Sequence, residues 1–196
     1  IDISNPSNPT LTGNYDTPGY AFGVTVDGNY AYVADGFDGG LQIIDISNPS
    51  NPTLTGTYSP SNFTHNVSVN GNYAFVAVST DGLQIIDISN PSNPTLTGTY
   101  NTSGNAYNVS VNGNYAYVAD DYDGLQIIDI SNPSNPTLIG TYNTNGDAYN
   151  VSLNGNYAYV ADGYDGLKII DISNHSNLTL IGTYNTPGFA RSISIN

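Results

Sequence analysis

The 196-residue sequence predicts an all-β repeat protein. Three observations support this fold class: one segment recurs at a regular spacing, turn-forming residues interrupt every copy, and no stretch has helical periodicity. The segment Leu-Gln-Ile-Ile-Asp-Ile-Ser-Asn-Pro starts at Leu41 and Leu83 and recurs with small changes at Leu125 and Leu167. These copies are 42 residues apart, whereas Asp2 and Asp45 are 43 apart because of the extra glycine in Gly39-Gly40.

The first half of a repeat predicts two strands joined by a tight turn, as the third copy illustrates. Residues 107–111 alternate polar residues with valine and predict strand one. Asn112-Gly113 then supplies residues that adopt positive φ in hairpin turns. Residues 114–119 are aromatic and β-branched, so they predict strand two, which ends in the polar loop 120–124.

The second half predicts two more strands, at 125–130 and 137–142. Between them lie Pro133 and Pro136, which cannot donate hydrogen bonds to a neighbouring strand and therefore end the sheet locally. Four short antiparallel strands in about 42 residues predict one blade of a β-propeller. The chain is then a single propeller domain, 1–196, with blades at about 20–58, 63–100, 105–142 and 147–184, while 189–196 and 1–15 belong to incomplete or closing blades.

The repeat also resembles a known family. Leu125-Gln-Ile-Ile-Asp129, followed by the Asn-Pro turn and preceded by Gly113-Asn-Tyr-Ala-Tyr-Val-Ala-Asp120, resembles the LVIVD repeat over essentially the whole chain. The resemblance implies a propeller of the kind found in surface-associated bacterial and archaeal proteins, most of them without a defined activity. The fourth copy departs from the pattern, because residues 174–178 (Asn-His-Ser-Asn-Leu) replace both prolines and should make that turn less rigid.

The repeat phase leaves the blade number open. Asn196 corresponds to Asn112 and Ile1 to Ile128, so the 15 residues equivalent to 113–127 have no counterpart between the end and the start of the repeat. A five-bladed ring lacking one strand fits this arithmetic, and so does a fragment of a six- to eight-bladed ring. The four to five blades covered should therefore leave unpaired strand edges, which favour self-association or pairing with another chain.

Charge and composition exclude several function classes. The chain has 16 acidic residues, all Asp, against Lys168 and Arg191, for a formal charge of −14. Such a surface disfavours nucleic acid and anionic lipid, both of which attract basic patches. No cysteine is present, which excludes disulfides and thiolate chemistry. No apolar run is long enough to insert in a bilayer, and the Thr-, Asn-, Ser- and Tyr-rich composition is typical of secreted or cell-surface proteins.

Differences between the copies concentrate at one end of the predicted blades. Loops alternate ends in an antiparallel blade, so the loop before strand one and the loop between strands two and three share one edge, here called the variable rim. The hairpin and Asn-Pro turns form the opposite edge, the constant rim, and barely change between copies. Equivalent positions at the start of the innermost strand define a candidate ligand rim: Phe22, His65, Tyr107, Tyr149 and Arg191. The alternative is that surface loops simply drift, whereas turns with demanding geometry cannot.

Acidic loops on the variable rim are candidate calcium sites. Each of three copies places two or three carboxylates in one short loop, and hard oxygen ligands suit Ca²⁺; the candidate ligands are Asp35, Asp38, Asp120, Asp123, Asp162 and Asp165. The second copy (Val78-Ser-Thr-Asp81) loses one carboxylate. Asp and Gly equally suit a plain turn, so calcium is a possible cofactor and no other is indicated.

Two further sets of recurring polar residues have simpler interpretations. The aspartates that end strand three should accept hydrogen bonds from the following turn, and they are Asp45, Asp87, Asp129 and Asp171. Asn66, Asn108 and Asn150 match the glycosylation sequon, but they lie on the innermost strand, where a glycan would clash.

The leading hypothesis is a non-catalytic binding or structural scaffold for a protein or carbohydrate partner. The alternatives are a propeller enzyme such as a glycosidase, which needs a pair of carboxylates, and a calcium-stabilised component of a surface filament or layer. Nearly every Asp recurs at the same repeat position, no Glu is present to act as a general acid, and no Ser-His-Asp or Cys-His arrangement can be assembled from two histidines. The sequence therefore favours a binding module over an enzyme.

Overall fold

A computed structural model describes residues 1–195, which form four sheets of four antiparallel strands. The first sheet contains β1 (Gly23–Asp27), β2 (Tyr30–Ala34), β3 (Leu41–Asp45) and β4 (Thr53–Tyr58), and the second contains β5 (Thr64–Asn70), β6 (Tyr73–Val78), β7 (Gly82–Asp87) and β8 (Thr95–Tyr100). The third contains β9 (Asn108–Asn112), β10 (Tyr115–Ala119), β11 (Leu125–Asp129) and β12 (Thr137–Tyr142), and the fourth contains β13 (Asn150–Asn154), β14 (Tyr157–Ala161), β15 (Leu167–Asp171) and β16 (Thr179–Tyr184). The predicted all-β fold of four-stranded antiparallel blades is confirmed.

The loop of the first blade differs from the polar loop that the sequence predicts. It contains a single helical turn, α1 (Gly36–Gly39), which accommodates the extra residue of that copy. Gly36, the first residue of this turn, and Gly40, which follows it, have φ of 68° and 60°, which only glycine adopts without strain. Within residues 1–195, no helix has the length and apolar character needed to cross a membrane.

The turns on the constant rim follow from their sequences, with one correction. Positive φ was expected for both Asn112 and Gly113, but only the glycine has it, at 58°. The Asn-Pro turns behave as predicted: the carboxylates of Asp45, Asp87, Asp129 and Asp171 each accept a hydrogen bond of 2.8 Å from the backbone N–H two residues later. These bonds to the serine that follows hold the pKa of each carboxyl below its usual value.

The core lies between adjacent blades and not inside any one of them. Between the second and third blades, for example, Leu83 and Ile85 pack against Val109, Val118 and Ile128, and all five are 3% exposed or less. Burying such a side chain contributes about 1.5–3 kcal/mol. Each blade therefore depends on its neighbour for most of its stability.

The first blade has one face with less cover than the others. Val24 is 65% exposed, whereas Val67, Val109 and Val151 at the same repeat position are 2–3% exposed. Residues 1–15, which precede this blade, are held by the bridge between Asp2 and Thr10 and contain none of the sixteen strands. The apolar face of β1 is thus open where its equivalents are covered by the preceding blade.

Candidate functional site

The innermost strands of successive blades are fixed to one another by asparagine side chains. Asn66 Oδ1 accepts a hydrogen bond from Val109 N at 3.3 Å, and Asn108 Oδ1 accepts one from Val151 N at 3.2 Å. Asn150 Oδ1 makes the same contact with Ile193 N at 3.2 Å. These are the asparagines of the sequon-like triplets, and their amide oxygens are occupied in holding the blades in register.

The residue before each of these asparagines belongs to the candidate ligand rim, and the structure brings all five rim residues together. His65 lies 5.8 Å from Phe22 and 4.9 Å from Tyr107 between ring centroids. Tyr107 and Tyr149 are stacked at 4.7 Å with an interplanar angle of 11°, and the Arg191 guanidinium is 5.9 Å from the Tyr149 centroid. We call this series the aromatic row.

The aromatic row lines a cavity of about 340 Å³, whose other walls are Asn66, Asn108, Asn150 and Ser192. That volume is at the small end of the range for ligand pockets, roughly 300–1,000 Å³. The lining combines aromatic rings with amide, hydroxyl, imidazole and guanidinium groups. This surface can hold a small polar ligand, or one residue of a larger ligand.

Sequence reasoning missed three aromatic residues that extend the aromatic row. Phe63 lies 5.1 Å from Phe22, Phe189 lies 4.9 Å from Tyr149, and Tyr164 lies 4.8 Å from Phe189. Phe63 and Phe189 are two residues before His65 and Arg191 in their copies, and side chains at i and i+2 of an extended segment share a face. That two-residue period could have identified Phe63 and Phe189, whereas Tyr164 lies in the loop between β14 and β15 and follows no such period.

The rings of the aromatic row pack against one another. Tyr107 and Tyr149 face each other, and His65 and Phe189 approach them in edge-on geometry. Burial, and to a lesser extent nearby aspartates, raise the pKa of both tyrosines, so their phenols are protonated at neutral pH. Burial lowers the pKa of His65, which is therefore largely neutral there. A ligand in this cavity can therefore form hydrogen bonds with the two phenols and the neutral imidazole, and can contact the positive charge of Arg191.

The first aspartate of each acidic loop is buried and supports the loop that enters the same blade. Asp35 is 0% exposed and accepts hydrogen bonds from Thr17 Oγ1 at 2.6 Å and Gly19 N at 2.8 Å. Asp162, equally buried, accepts one from the Thr144 hydroxyl. In the second blade both members of this pair are apolar, because Pro60 stands in place of the threonine and Val78 in place of the aspartate. The paired replacement indicates a structural role for the threonine–aspartate contact.

Asp120 is the least well satisfied of these buried carboxylates. Its Oδ2 accepts a hydrogen bond from Gly104 N at 3.2 Å, while its Oδ1 is buried without a partner. Burial raises the pKa of Asp120 to about 6, against the opposing influence of the nearby Thr102 hydroxyl and the Gly104 amide.

The second carboxylate of each candidate calcium loop has a different setting in each blade. Asp38 is exposed on α1, Asp123 is half-buried, and Asp165 lies 3.9 Å from Lys168 Nζ. Within residues 1–195, no group of three or more His, Asp or Glu side chains converges on a common metal position. Metal binding at any of these loops would need further oxygen ligands besides carboxylates.

The constant rim has one cavity that no other copy can reproduce, because it depends on His175. This cavity of about 350 Å³ lies between the third and fourth blades. The His175 ring packs on Tyr115 at 4.2 Å, and its Nε2 is 3.0 Å from the Tyr117 hydroxyl. Burial lowers the pKa of this histidine. The turn expected to lose rigidity with its prolines is thus anchored by a side-chain contact.

Comparisons with known proteins agree with this architecture. The LVIVD repeat matches the chain five times, at residues 1–17, 18–59, 63–102, 103–144 and 145–186. A comparison with curated protein sequences found no match.

Solved structures similar to the chain include one designed and two natural proteins. The computationally designed Ika4 protein superposes with a TM-score of 0.68 at 10% identity, covering 85% of this chain and 99% of its own. A functionally unknown protein from Desulfotomaculum acetoxidans (TM-score 0.70, 19% identity, 85% of this chain) and a protein from Lactobacillus plantarum (0.73, 18%, 83%) are similar in fold. This chain spans 56% and 57% of the two natural chains, respectively, and at these identities the similarity extends to the fold alone.

Proposed function

Because this chain belongs to the LVIVD-repeat family, and its blades gather their most variable residues on one rim, we propose that it is a non-catalytic binding module of a secreted or cell-surface protein. The observation that carries the proposal is the aromatic row. Five equivalent residues of four different types, two of them tyrosine, line one cavity, while the constant rim repeats its turns nearly unchanged.

Loop drift alone accounts poorly for this arrangement. Drift would give unrelated side chains at the five positions, but four of them are rings that pack on one another across three blade junctions. Packing does not require the polar groups at the same positions, namely two phenols, an imidazole and the only arginine of the chain.

A carbohydrate is the ligand class that fits this lining best. Tyr107 and Tyr149 each have one ring face covered by the other, so the ligand would be recognised chiefly through hydrogen bonds to phenol, amide and guanidinium groups. Sugars present many hydroxyls that both donate and accept, and the single charge at Arg191 suits an acidic sugar or a carbonyl. A protein partner would instead insert one polar side chain in the same cavity.

The rival function is glycoside hydrolysis, and the carboxylates argue against it. Hydrolysis needs two carboxyl groups on either side of one glycosidic bond. The sequence has no glutamate, and Asp35 and Asp162 are buried and bonded to threonine hydroxyls. A calcium-stabilised component of a surface filament or layer is a third candidate, and it shares the acidic loops discussed below.

Removing hydroxyls while keeping the rings tests the binding proposal without disturbing packing. Binding to a glycan array, followed by calorimetry with the best glycan, should be weakened about 2- to 10-fold by either Tyr107→Phe or Tyr149→Phe, since each removes one hydrogen bond. The melting temperature should not change. Tyr157→Phe on the constant rim, which is 39% exposed, is the matched control and should bind as the wild type.

Two results would contradict the proposal: wild-type affinity in both variants, or hydrolysis of the bound glycan. Surface location is tested separately, by treating intact producing cells with protease and asking whether the protein is cleaved.

A further inference from the structure

We propose that the loop between β10 and β11 binds a calcium ion through Asp120 and Asp123, and that the equivalent loops of the other three blades do not. This goes beyond ligand binding at the aromatic row. It also narrows the three loops that the sequence offers as calcium candidates to one.

Three buried oxygens in the third blade have no hydrogen bond of normal geometry, although the Thr102 hydroxyl lies close enough to the Asp120 carboxyl to lower its pKa. They are Thr102 Oγ1, Asp120 Oδ1 and Asp123 Oδ2. Asp120 is 0% exposed and Thr102 is 8% exposed, so water does not replace the missing partners freely. A buried carboxylate oxygen that has neither a hydrogen bond of normal geometry nor a neighbouring positive charge destabilises the folded chain. A cation bound by these oxygens would remove that destabilisation.

In the fourth blade, a lysine of the chain itself occupies the place that we assign to the cation in the third blade. Lys168 Nζ lies 3.7 Å from Asp162 Oδ2 and 3.9 Å from Asp165 Oδ2, and it donates a hydrogen bond to the Asp165 carbonyl at 3.2 Å. Its side chain is 12% exposed. A positive charge is thus already held between the two loop carboxylates of this blade.

Gln126 occupies the equivalent position in the third blade. It pairs with Val118 as Lys168 pairs with Val160, and its Nε2 donates to the Asp123 carbonyl at the same 3.2 Å. The amide reproduces the hydrogen bond of the lysine but not its charge. The two carboxylates of the third blade are therefore left uncompensated by any side chain at this position.

The first two blades have no pair of uncompensated loop carboxylates, for different reasons. In the first, Thr17 and Gly19 satisfy both oxygens of Asp35, and Asp38 is exposed on α1. In the second, Val78 replaces the buried aspartate, and Asp81 Oδ2 accepts a hydrogen bond from the Ser61 hydroxyl at 3.2 Å.

Charge and geometry select Ca²⁺ among hard cations. Asp120 and Asp123 supply two negative charges, and Asp121 adds a third nearby, although its Oδ2 already accepts a hydrogen bond from Asn105 at 2.7 Å. Ca²⁺ accepts irregular sets of carboxylate, hydroxyl and water oxygens, whereas Mg²⁺ requires near-ideal octahedral geometry and keeps most of its water. A loop that offers two carboxylates and one hydroxyl, with water completing the shell, suits the larger ion.

Exchanging the residues at the two equivalent positions tests the assignment. Calorimetry of the full chain with calcium chloride should give a single site in about 150 mM sodium chloride, where a Debye length of about 8 Å screens exposed charges. Calcium should also raise the melting temperature relative to chelator. Gln126→Lys should abolish the site and raise the melting temperature in chelator. Lys168→Gln should create a second site at Asp162 and Asp165.

The outcomes separate this site from calcium held loosely by an acidic surface. Calcium binding that persists unchanged in Gln126→Lys overturns the proposal, and so does a wild-type melting temperature that is equal in calcium and chelator. An equal rise in magnesium, or in added sodium alone, overturns the assignment to Ca²⁺. Because Gln126→Lys and Lys168→Gln should shift the site count in opposite directions, loss of folding in one variant still leaves the other as a test.

Discussion

Removing the Asn108 side chain tests how the blades are held in register. In Asn108→Ala, the backbone N–H of Val151 loses the oxygen that accepts its hydrogen bond at 3.2 Å. Both residues are buried, with exposures of 6% and 2%, so water cannot replace the lost acceptor easily. An unpaired buried donor costs about 1–3 kcal/mol. For a chain of this size, about 2–4 °C of melting temperature corresponds to each kcal/mol, so we expect a decrease of roughly 2–12 °C.

Thermal unfolding followed by circular dichroism, with urea unfolding as a second measurement, gives this change. Asn154→Ala is the matched control, because Asn154 ends β13 on the neighbouring blade and is exposed. An exposed substitution of this kind should stay within about 0.5 kcal/mol of the wild type. If Asn108→Ala costs no more than Asn154→Ala, the amide bonds between blades do not stabilise the stack, and register depends on the apolar core alone.

Three further predictions concern blade packing and buried polar groups. Gly98→Ala should destabilise strongly, because its Cβ would lie 2.2 Å from the backbone oxygen of Pro133, whereas Gly182→Ala at the equivalent position meets only ordinary contacts with a side chain and should be tolerated in the same melting experiment. In chelator, Asp120→Asn should stabilise the chain at pH 7 by up to about 3 kcal/mol and should give little change below pH 4. The reason is that burial raises the pKa of the native carboxyl to about 6. The protonated carboxyl therefore contributes its full stability below the unfolded pKa of 3.8, and this stability is lost as pH rises through 6. An effect of Asp120→Asn that is the same at the two pH values would show that burial does not shift the pKa of Asp120. Tyr117→Phe removes the hydroxyl that lies 3.0 Å from His175, and should cost about 0.5–1.5 kcal/mol at pH 7; a neutral effect would show that ring packing on Tyr115 alone anchors this turn.

Much of the fold could be predicted from the sequence, because the determinants are local and repeated. Alternation within residues 107–111, glycine at position 113 and prolines at 133 and 136 each restrict a short piece of backbone in every copy. The α1 turn was not predicted, since the extra residue at Gly39-Gly40 can be absorbed in several ways by a loop.

The candidate site was predictable in position but not in its contacts. Equivalent positions in a repeat must share one rim, so the sequence located the five residues of the aromatic row. It could not show that Tyr107 and Tyr149 stack on each other, because that contact joins side chains 42 residues apart whose rotamers depend on the neighbouring blade.

The sequence by itself determined the repeat length, the four strands of each blade and the rim on which variation falls. Each of these depends on backbone conformation within about 42 residues, and a periodic pattern specifies that directly. Only the tertiary structure decided which of the similar acidic loops is balanced in charge. Asp120 and Asp162 are equivalent in sequence, but a buried carboxylate takes its energy from the groups that surround it. Those groups are Lys168 in one blade and Gln126 in the other, and only the paired strands bring them to the loop.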